Sequence, residues 1–255
     1  MRYSIVIPVL NEQDNILPLV EELVSVLGSS GEYEIVFVDD GSTDATAARL
    51  GETMARHAHL RLLRHGARSG KSAALRTGAK AASSPWIVTM DGDGQNDPRD
   101  IPRLMEAAWA DPAIVLAAGN RRRRDDTIWK RLASRIGNGI RRALLRDECP
   151  DTACGLKAIR RDILLELPFF DSMHRFLPAL VRQRGHAYVN VPIGDRARRA
   201  GQSKYTNWGR AVAGLFDLYG VVWLLRRTTL PAAVIEAGKP PAKAVAPVEK
   251  EDTTA

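Results

Sequence analysis

The residues richest in chemistry fall in short acidic motifs. Asp91-Gly92-Asp93-Gly94-Gln95 follows directly on the apolar run Trp86-Ile87-Val88-Thr89-Met90. Two carboxylates at i and i+2, beside glycines and where a buried strand emerges, suit a hard divalent cation that holds a diphosphate: oxygen ligands, open positions and close backbone approach. A plain Asp/Gly turn is the alternative. An EF-hand loop is excluded, since it needs Gly where Asn96 stands and Glu where Pro102 stands. A second motif, Val38-Asp39-Asp40-Gly41-Ser42-Thr43-Asp44, also ends an apolar run. Asp44 is placed to cap a following helix. Asp39 and Asp40 would repel each other unless a metal-bound ligand, a base or a ribose lies between them and the first motif. A third, Pro8-Val9-Leu10-Asn11-Glu12, offers Glu12 as an acceptor for a nucleobase or as a favourable charge at a helix N-terminus. Gly70-Lys71-Ser72 has the strand-loop-helix setting of a phosphate-binding loop, but His65 stands where the first glycine is required and Gly66 leaves the loop one residue short. ATP hydrolysis is therefore not expected, although residues 65–72 can still face a nucleotide.

These motifs need elements to hold them. Short β-branched runs near 3–9, 34–38, 60–64, 86–90 and 114–118 alternate with helical patterns near 12–27, 44–57, 71–82 and 98–110, which is α/β wiring around a mostly parallel sheet. In the first helix Ile16, Val20, Leu23 and Leu27 form one face, and Asn11, with Asp14 three residues on, is the expected N-cap. Ligands of open α/β sheets sit at the carboxyl ends of strands, so the loops after strands 1, 2 and 4 should share one crevice. Beyond residue 120 the rhythm changes to a basic helix near 126–146, a Gly/Cys segment at 151–159, a helix near 172–184, a strand near 187–192 and a polar Arg/Gly loop at 194–206.

The chain has 255 residues and 45% hydrophobic content, ample for a packed core. Cys149 and Cys154 suit neither a disulfide framework nor structural zinc, and Cys154 is expected to be a packing residue. The formal charge is +7. Between Arg121 and Arg146 ten basic residues face only Asp125 and Asp126, so the basicity belongs to that segment and implies an anionic partner there. Nucleic acid is not expected, because Trp129 is the block's lone stacking platform. Arg131, Arg135 and Arg142 share a helical stripe beside an apolar face of Ile128, Leu132, Ile136, Ile140 and Leu144, the make-up of a helix that lies on an anionic bilayer. A solvated basic face over a core stripe is the alternative.

The N-terminal apolar run is too short for a signal peptide and no run of 18 uncharged apolar residues occurs, so a cytoplasmic protein without a conventional span is expected. Residues 211–225 are apolar except for Asp217 and end at Arg226-Arg227, which favours an interfacial or core helix. The last residues, from about 236 to 255, are too polar to fold. Phe169, Phe170, Met173, His174, Phe176 and Leu177 either pack in the core or border a lipid groove.

Taken in order, Ile7-Pro8-Val9-Leu10-Asn11-Glu12, Val38 to Asp44 and Asp91 to Gln95 resemble the family 2 glycosyltransferases of the GT-A fold, in the branch of dolichol-phosphate mannose synthase and the bacterial polyprenyl-phosphate glycosyltransferases. Gly119-Asn120-Arg121, Asp151-Thr152-Ala153-Cys154-Gly155 and Arg198 to Tyr205 extend the resemblance. It implies a GT-A, Rossmann-like catalytic domain over 1–205, to which the composition adds a helical interfacial segment at 206–235 and a disordered tail at 236–255. It further implies that Pro8, Glu12, Val38 and Asp40 hold the base and ribose, and that Asp91, Asp93 and Gln95 bind Mg2+ or Mn2+ and the donor diphosphate. By the same resemblance Arg198 and Lys204 close over the leaving diphosphate, and Arg121, Arg131 and Ser134 meet the acceptor phosphate. Asp195 and Ala197 depart from the pattern, since relatives often carry histidine and proline there. Asp151 is either an acceptor-side carboxylate, a base or a turn residue. The expected activity is inverting transfer of a hexose, mannose or glucose, from a nucleotide sugar to a polyprenyl phosphate at the inner face of the cytoplasmic membrane. Transfer to a hydroxyl of a polysaccharide or lipid, or nucleotide-sugar binding without turnover, are the alternatives.

Overall fold

The computed structural model describes residues 3–28, 33–121, 139, 141–194, 196 and 207–229. Its centre is a seven-stranded sheet: β1 (Tyr3–Val9), β2 (Tyr33–Asp39), β3 (Leu60–Arg64), β4 (Trp86–Thr89), β5 (Ile114–Arg121), β6 (Lys157–Arg160) and β7 (Ala187–Ile193), in the order β3-β2-β1-β4-β6-β5-β7. β1, β2, β3 and β4 pair in parallel, as do β5 and β7, and β6 runs against both of its neighbours. Around the sheet lie α1 (Ile16–Leu27), α2 (Thr46–Met54), α3 (Lys71–Ala81), α4 (Asp100–Trp109), α5 (Arg161–Glu166), α6 (Leu177–Gln183) and α7 (Asn207–Arg227). The mixed α/β fold with a mostly parallel sheet is the one expected.

The near-unbroken apolar runs of β1 and β2 have a physical reason: helices cover both faces. Ile5 and Ile7 pack with α1 and α4 on one side, while Val6, Val36 and Val38 pack with α3 on the other. Ile16, Leu19, Val20, Leu23 and Leu27 of α1 are buried, each contributing roughly 1.5–3 kcal/mol of transfer free energy. α3 approaches so closely that a β-carbon on Gly78 would collide with the Val6 side chain.

Four local expectations need correction. Asn11 does not cap α1. Its backbone is left-handed at φ 50°, the helix starts at Ile16, and Asn15 occupies the cap position. Residues 11–13 are instead drawn to the neighbouring loop by hydrogen bonds. The single helix near 172–184 is broken into a 3-10 turn at Met173–Arg175 and α6, because Ser172 is left-handed and Pro178 fits only a helix's first turn. The Gly/Cys segment hides β6, a buried strand of four residues with charges at both ends that no periodicity can reveal. In the helical turn at 141–145 it is Leu145 that is buried and Leu144 that is exposed, opposite to the expected apolar stripe. The rest of the basic segment, from 122 to 138, the loop beyond Arg196 and the tail lie outside the described residues.

Glu34 ties the sheet's left half together. It accepts from Ser4 Oγ (2.6 Å) on β1, from Ser83 N and Oγ (2.6 and 2.7 Å) before β4 and from Arg61 Nη1 (2.7 Å) on β3. Burial pushes the carboxyl pKa up, but these donors outweigh it and bring it down from 4.5 to about 2. A pKa depressed on folding stabilises the protein above the unfolded value and ceases to do so as pH falls through the folded one. Acid unfolding should therefore show a loss of stability between pH 4.5 and about 2, and Glu34→Gln should flatten urea-measured stability across that window.

Candidate active site

The site lies where β1, β2 and β4 end. Loops one and two interlock through main-chain donors and short side chains: Asn11 N donates to Ser42 Oγ (2.8 Å), Glu12 N to Thr46 Oγ1 (2.8 Å) and Thr43 N to Asn11 Oδ1 (2.8 Å). Asp44, expected to cap α2, stands one residue before the cap position, which Ala45 occupies; its carboxylate accepts from Thr46 N (3.0 Å) and from Gln13 N (3.4 Å). These bonds outweigh burial and hold its carboxyl below the ordinary range.

Asp39 and Asp40 need no ligand to keep them apart, contrary to expectation. Asp39 Oδ1 accepts from Ser42 N (2.9 Å), and its Oδ2 meets Arg64 Nε (3.2 Å). Asp40 Oδ1 contacts His65 Nδ1 (2.8 Å) and accepts from Ser69 N (2.8 Å), while Oδ2 accepts from Gly70 N (2.8 Å). His65 Nε2 in turn contacts Thr77 Oγ1 (3.0 Å), fixing the ring against α3. The loop at 65–70 is thus shaped around one buried carboxylate. Gly41, at φ 77°, lets the backbone of Ala67 and Arg68 pass against it, where a β-carbon would lie 2.8 Å from Arg68 N.

That loop delivers Lys71, the first residue of α3, whose ammonium forms an ion pair with Asp91. Each side chain keeps about a third of its surface open, 31% and 33%. Burial pushes the Asp91 carboxyl pKa up, but Lys71, Lys157 and Arg121 pull it further down, so the group is held below the usual carboxylate range. Asp91 N donates to Asn96 Oδ1 (3.1 Å), and Asp93 Oδ1 accepts from Gln95 N (3.1 Å). Arg196 N donates to Gln95 O (3.3 Å), and its guanidinium bridges Glu22 Oε1 (2.7 Å) and Asp97 Oδ2 (2.5 Å), anchoring the start of the polar loop beside the motif.

The other wall is the segment from 149 to 155. Asp151 receives Arg121 in a two-bond fork, Nε to Oδ2 (2.6 Å) and Nη2 to Oδ1 (3.0 Å). Gly155 lies directly against Asp91, where a β-carbon would stand 2.8 Å from Oδ1. Arg141, one of the ten basic residues between 121 and 146, turns inward: it donates to Thr152 Oγ1 and Cys149 O and lies 3.0 Å from Asp147 Oδ1. Cys149 and Cys154 are buried free thiols, raised in pKa by burial, as packing residues should be. Met173, Phe176 and Leu177 are core residues, and Phe169 remains half-exposed over Arg76. His174 contacts Ser72 Oγ through Nδ1 (2.8 Å), and burial, assisted by Lys71 and Lys157, pushes its pKa well below the usual value and leaves it neutral.

Of the residues singled out from sequence, Pro8, Val38, Asp40, Asp91, Asp93, Gln95 and Arg121 thus belong to one group of adjoining loops. Val38 is fully buried beneath it. Glu12 accepts from Asn15 Nδ2 (2.7 Å). Arg131, Ser134, Arg198 and Lys204 lie outside the described residues. Lys71, Gly155 and Lys157 were not singled out as site residues. Lys71 was visible as the lysine of an ill-spaced phosphate loop, but nothing in the sequence says that it meets Asp91. Two open cavities, of about 310 Å³ beside Tyr33 and His59 and about 670 Å³ between Trp86 and Trp109, lie at the opposite end of the strands, away from these carboxylates.

Among the described residues no three His, Cys, Asp or Glu side chains gather as a complete metal cage. Asp91 and Asp93 still fit a hard cation, since Mg2+ or Mn2+ in phosphate-transferring sites takes one or two carboxylates and completes its shell with the substrate's own phosphates.

The sequence profile described as Glycosyl transferase family 2 matches residues 4–167, and the chain belongs to that family. Its fold is GT-A, and it is a glycosyltransferase. It is similar to the dodecaprenyl-phosphate galacturonate synthase of Rhizobium johnstonii, with 30% identity over 91% of this chain and 69% of that one. It is also similar to the undecaprenyl-phosphate 4-deoxy-4-formamido-L-arabinose transferase of Edwardsiella ictaluri, with 32% identity over 91% and 70%. Among solved structures, glucosyl-3-phosphoglycerate synthase of Mycobacterium tuberculosis in complex with UDP superposes with a TM-score of 0.65, at 25% identity over 86% of this chain and 80% of that one. A mannosyltransferase of Pyrobaculum calidifontis in complex with GDP-Man and Mn2+ shares the fold, with a TM-score of 0.65 at 20% identity over 90% and 66%.

Gly155→Ala should displace the Asp91 carboxylate while leaving the core intact. The expected result is a loss of ~10²-fold in kcat with the thermal unfolding midpoint little changed. Steady-state kinetics beside a melting curve checks it.

Proposed function

We propose that this protein transfers a hexose, mannose or glucose, from a nucleoside diphosphate sugar to a polyprenyl phosphate, with inversion at the anomeric carbon. One observation carries the reading: the Asp91 carboxylate, paired with Lys71 and backed by Gly155, also lies within electrostatic reach of Arg121, which is forked onto Asp151, and this neighbourhood supports a diphosphate set beside a phosphate set. The nucleotide base and ribose are assigned to Pro8, Glu12, Val38 and Asp40. Asp91 and Asp93, with Gln95, would hold Mg2+ or Mn2+, which when bound supplies positive charge for the departing diphosphate. Lys71 turns from Asp91 to the same phosphates, and Arg198 and Lys204 cover them from the polar loop. Charge that develops on the leaving group then meets groups already in place.

The acceptor's phosphate oxygen attacks the anomeric carbon from the side opposite the diphosphate. A C–O bond forms, the bond to the leaving phosphate oxygen breaks, and the nucleoside diphosphate departs with the electron pair. A phosphate monoester has its second pKa near ~6 and is largely dianionic at neutral pH, so no base is required. A hydroxyl acceptor would need a carboxylate within reach of its proton. Asp151, the acceptor-side carboxylate, places both oxygens on Arg121, which favours the phosphate acceptor. Arg121, with Arg131 and Ser134, is assigned to that phosphate.

A polyprenyl acceptor implies a membrane surface. No helix among the described residues is long and apolar enough to cross one. α7 instead has two faces: Val221 packs into the core with Leu218, Val222 and Leu225, while Leu215, Phe216, Tyr219 and Trp223 are exposed on the other side, ending at Arg226 and Arg227. Aromatic side chains above a basic terminus suit the headgroup boundary of an anionic bilayer. We therefore assign 1–205 to catalysis and 206–235 to interfacial attachment on the cytoplasmic face.

Purified protein with Mg2+ or Mn2+, a panel of nucleotide sugars and a short-chain polyprenyl phosphate should yield a glycosyl phosphate lipid. A product formed only on alcohols, or tight donor binding with no product, rejects the assignment. Asp93→Asn should lower kcat by 10²-fold or more, of order the loss of one transition-state charge contact, as read by radiolabelled transfer. Replacing Leu215, Phe216, Tyr219 and Trp223 together by Ser should abolish flotation with phosphatidylglycerol vesicles. Transfer to a water-soluble prenyl phosphate should survive that change, and undiminished flotation would remove the attachment role from α7.

A further inference from the structure

Lys157 is 2% exposed and among the largest fully buried side chains of the molecule. Its ammonium donates to the carbonyls of Thr152 (3.1 Å) and Cys154, and among the described residues no carboxylate lies within ion-pair distance of it. Burying an ammonium costs several kcal/mol before compensation, and an apolar side chain of similar volume would fill the same space at no such cost. The charge therefore has to be explained by what it holds. Lys157 opens β6, the one reversed strand, and is paired there with Thr89 of β4, two residues before Asp91, and with Ala118 of β5, three before Arg121. The carbonyls it grips belong to the loop that carries Asp151 and Gly155. Thr89 Oγ1 takes the carbonyl of Gly155 (2.7 Å), and Arg141 takes that of Cys149. The irregular loop is thus fastened carbonyl by carbonyl from beneath, and Lys157 supplies two of the four ties.

We propose that Lys157 is a positioning residue for the transfer step: by holding Thr152 and Cys154 it fixes the 151–155 loop, and with it the separation between the Asp91 side and the Arg121–Asp151 side of the site. The assignment of donor and acceptor to those two sides rests on the function proposed above. The loops after β1, β2 and β3, assigned above to the nucleotide, are joined to one another by Asn11–Ser42, Asn11–Thr43 and Asp40–Ser69/Gly70 bonds, whereas the hydrogen bonds of Lys157 go to Thr152 and Cys154.

The test compares Lys157→Met and Lys157→Arg in the full chain. With Lys157→Met, calorimetric Kd values for UDP and GDP and the donor KM should stay within about twofold of wild type, while kcat falls by ~10²-fold, the effect of misplacing reacting groups by about 1 Å. Lys157→Arg, which still donates to two carbonyls, should recover at least a tenth of the activity. Hydrogen exchange should accelerate about tenfold or more in a peptide covering 149–156 and not in β1 or β2, the signature of a local opening. Three results overturn the proposal: an unchanged kcat, an unchanged exchange rate at 149–156, or exchange that rises equally in β1 and β2, which would make Lys157 a general stability residue. Should Lys157→Met be insoluble, Lys157→Gln, which keeps an N–H donor without the charge, replaces it under the same criteria. The exchange comparison needs no substrate. A wild-type protein that glycosylates no prenyl phosphate would thus defeat the assigned function while the strap itself is still decided.

Discussion

Carboxylates at the ends of parallel strands have to be satisfied, and the way they are satisfied here makes the site. Asp39, Asp40, Asp44 and Asp93 accept main-chain N–H groups from their own or neighbouring loops, so each acid shapes a turn instead of repelling the next acid. Asp91 differs. Its main-chain amide is the part that is tied locally, to Asn96, and its carboxylate faces cations from three other elements. The protein therefore holds one strand-end acid at the centre of positive charge, while the others also shape the loops around it. Such an arrangement suits a ligand that brings both a cation and a polyanion, because the charges around Asp91 are already placed for both.

The reversed strand is what gives the site at the ends of β1, β2 and β4 a second side. A parallel continuation after β4 would carry the chain over a helix and return it at the far end. β6 runs the other way, so the residues that precede it, 149–156, arrive at the carboxyl end of β4 beside Asp91. The same reversal brings the end of β5, with Arg121, next to Asp151. Gly155 is the point of closest approach, and the absence of a β-carbon is a steric requirement there because the Asp91 carboxylate fills the space.

Charge in this protein is sorted more finely than its total suggests. Of the ten basic residues between Arg121 and Arg146, two that the structure describes, Arg121 and Arg141, are turned inward and engaged with Asp151, Thr152, Cys149 and Asp147. They brace the 147–152 segment and do not contribute to an outward basic surface. Arg142 and Arg146 remain exposed. Buried arginines of this kind keep a planar fork of donors aimed at carbonyls and carboxylates, a geometry that a lysine at the same positions could not reproduce.

Much of the architecture was legible in the residues alone. Apolar runs covered on both faces reveal parallel strands, the recurrence of Ile16, Val20, Leu23 and Leu27 reveals the buried side of α1, and acids bordered by glycines at strand ends reveal where chemistry is placed. These properties are local: each depends on the period of one element and on the conformational freedom of one turn. β6 escaped because three buried residues and a half-exposed arginine carry no period, and the break before α6 because one left-handed serine leaves no compositional mark. Which charge meets which was not local at all. Lys71 reaches Asp91 across 20 residues and Arg121 reaches Asp151 across 30, through neighbours fixed only once β4 and β5 take their places on either side of β6. The sequence by itself determined the motifs, the wiring and the apolar faces. Strand order and packing decided the ion pairs, since electrostatic partnership depends on distance in space, and that distance exists only in the assembled sheet.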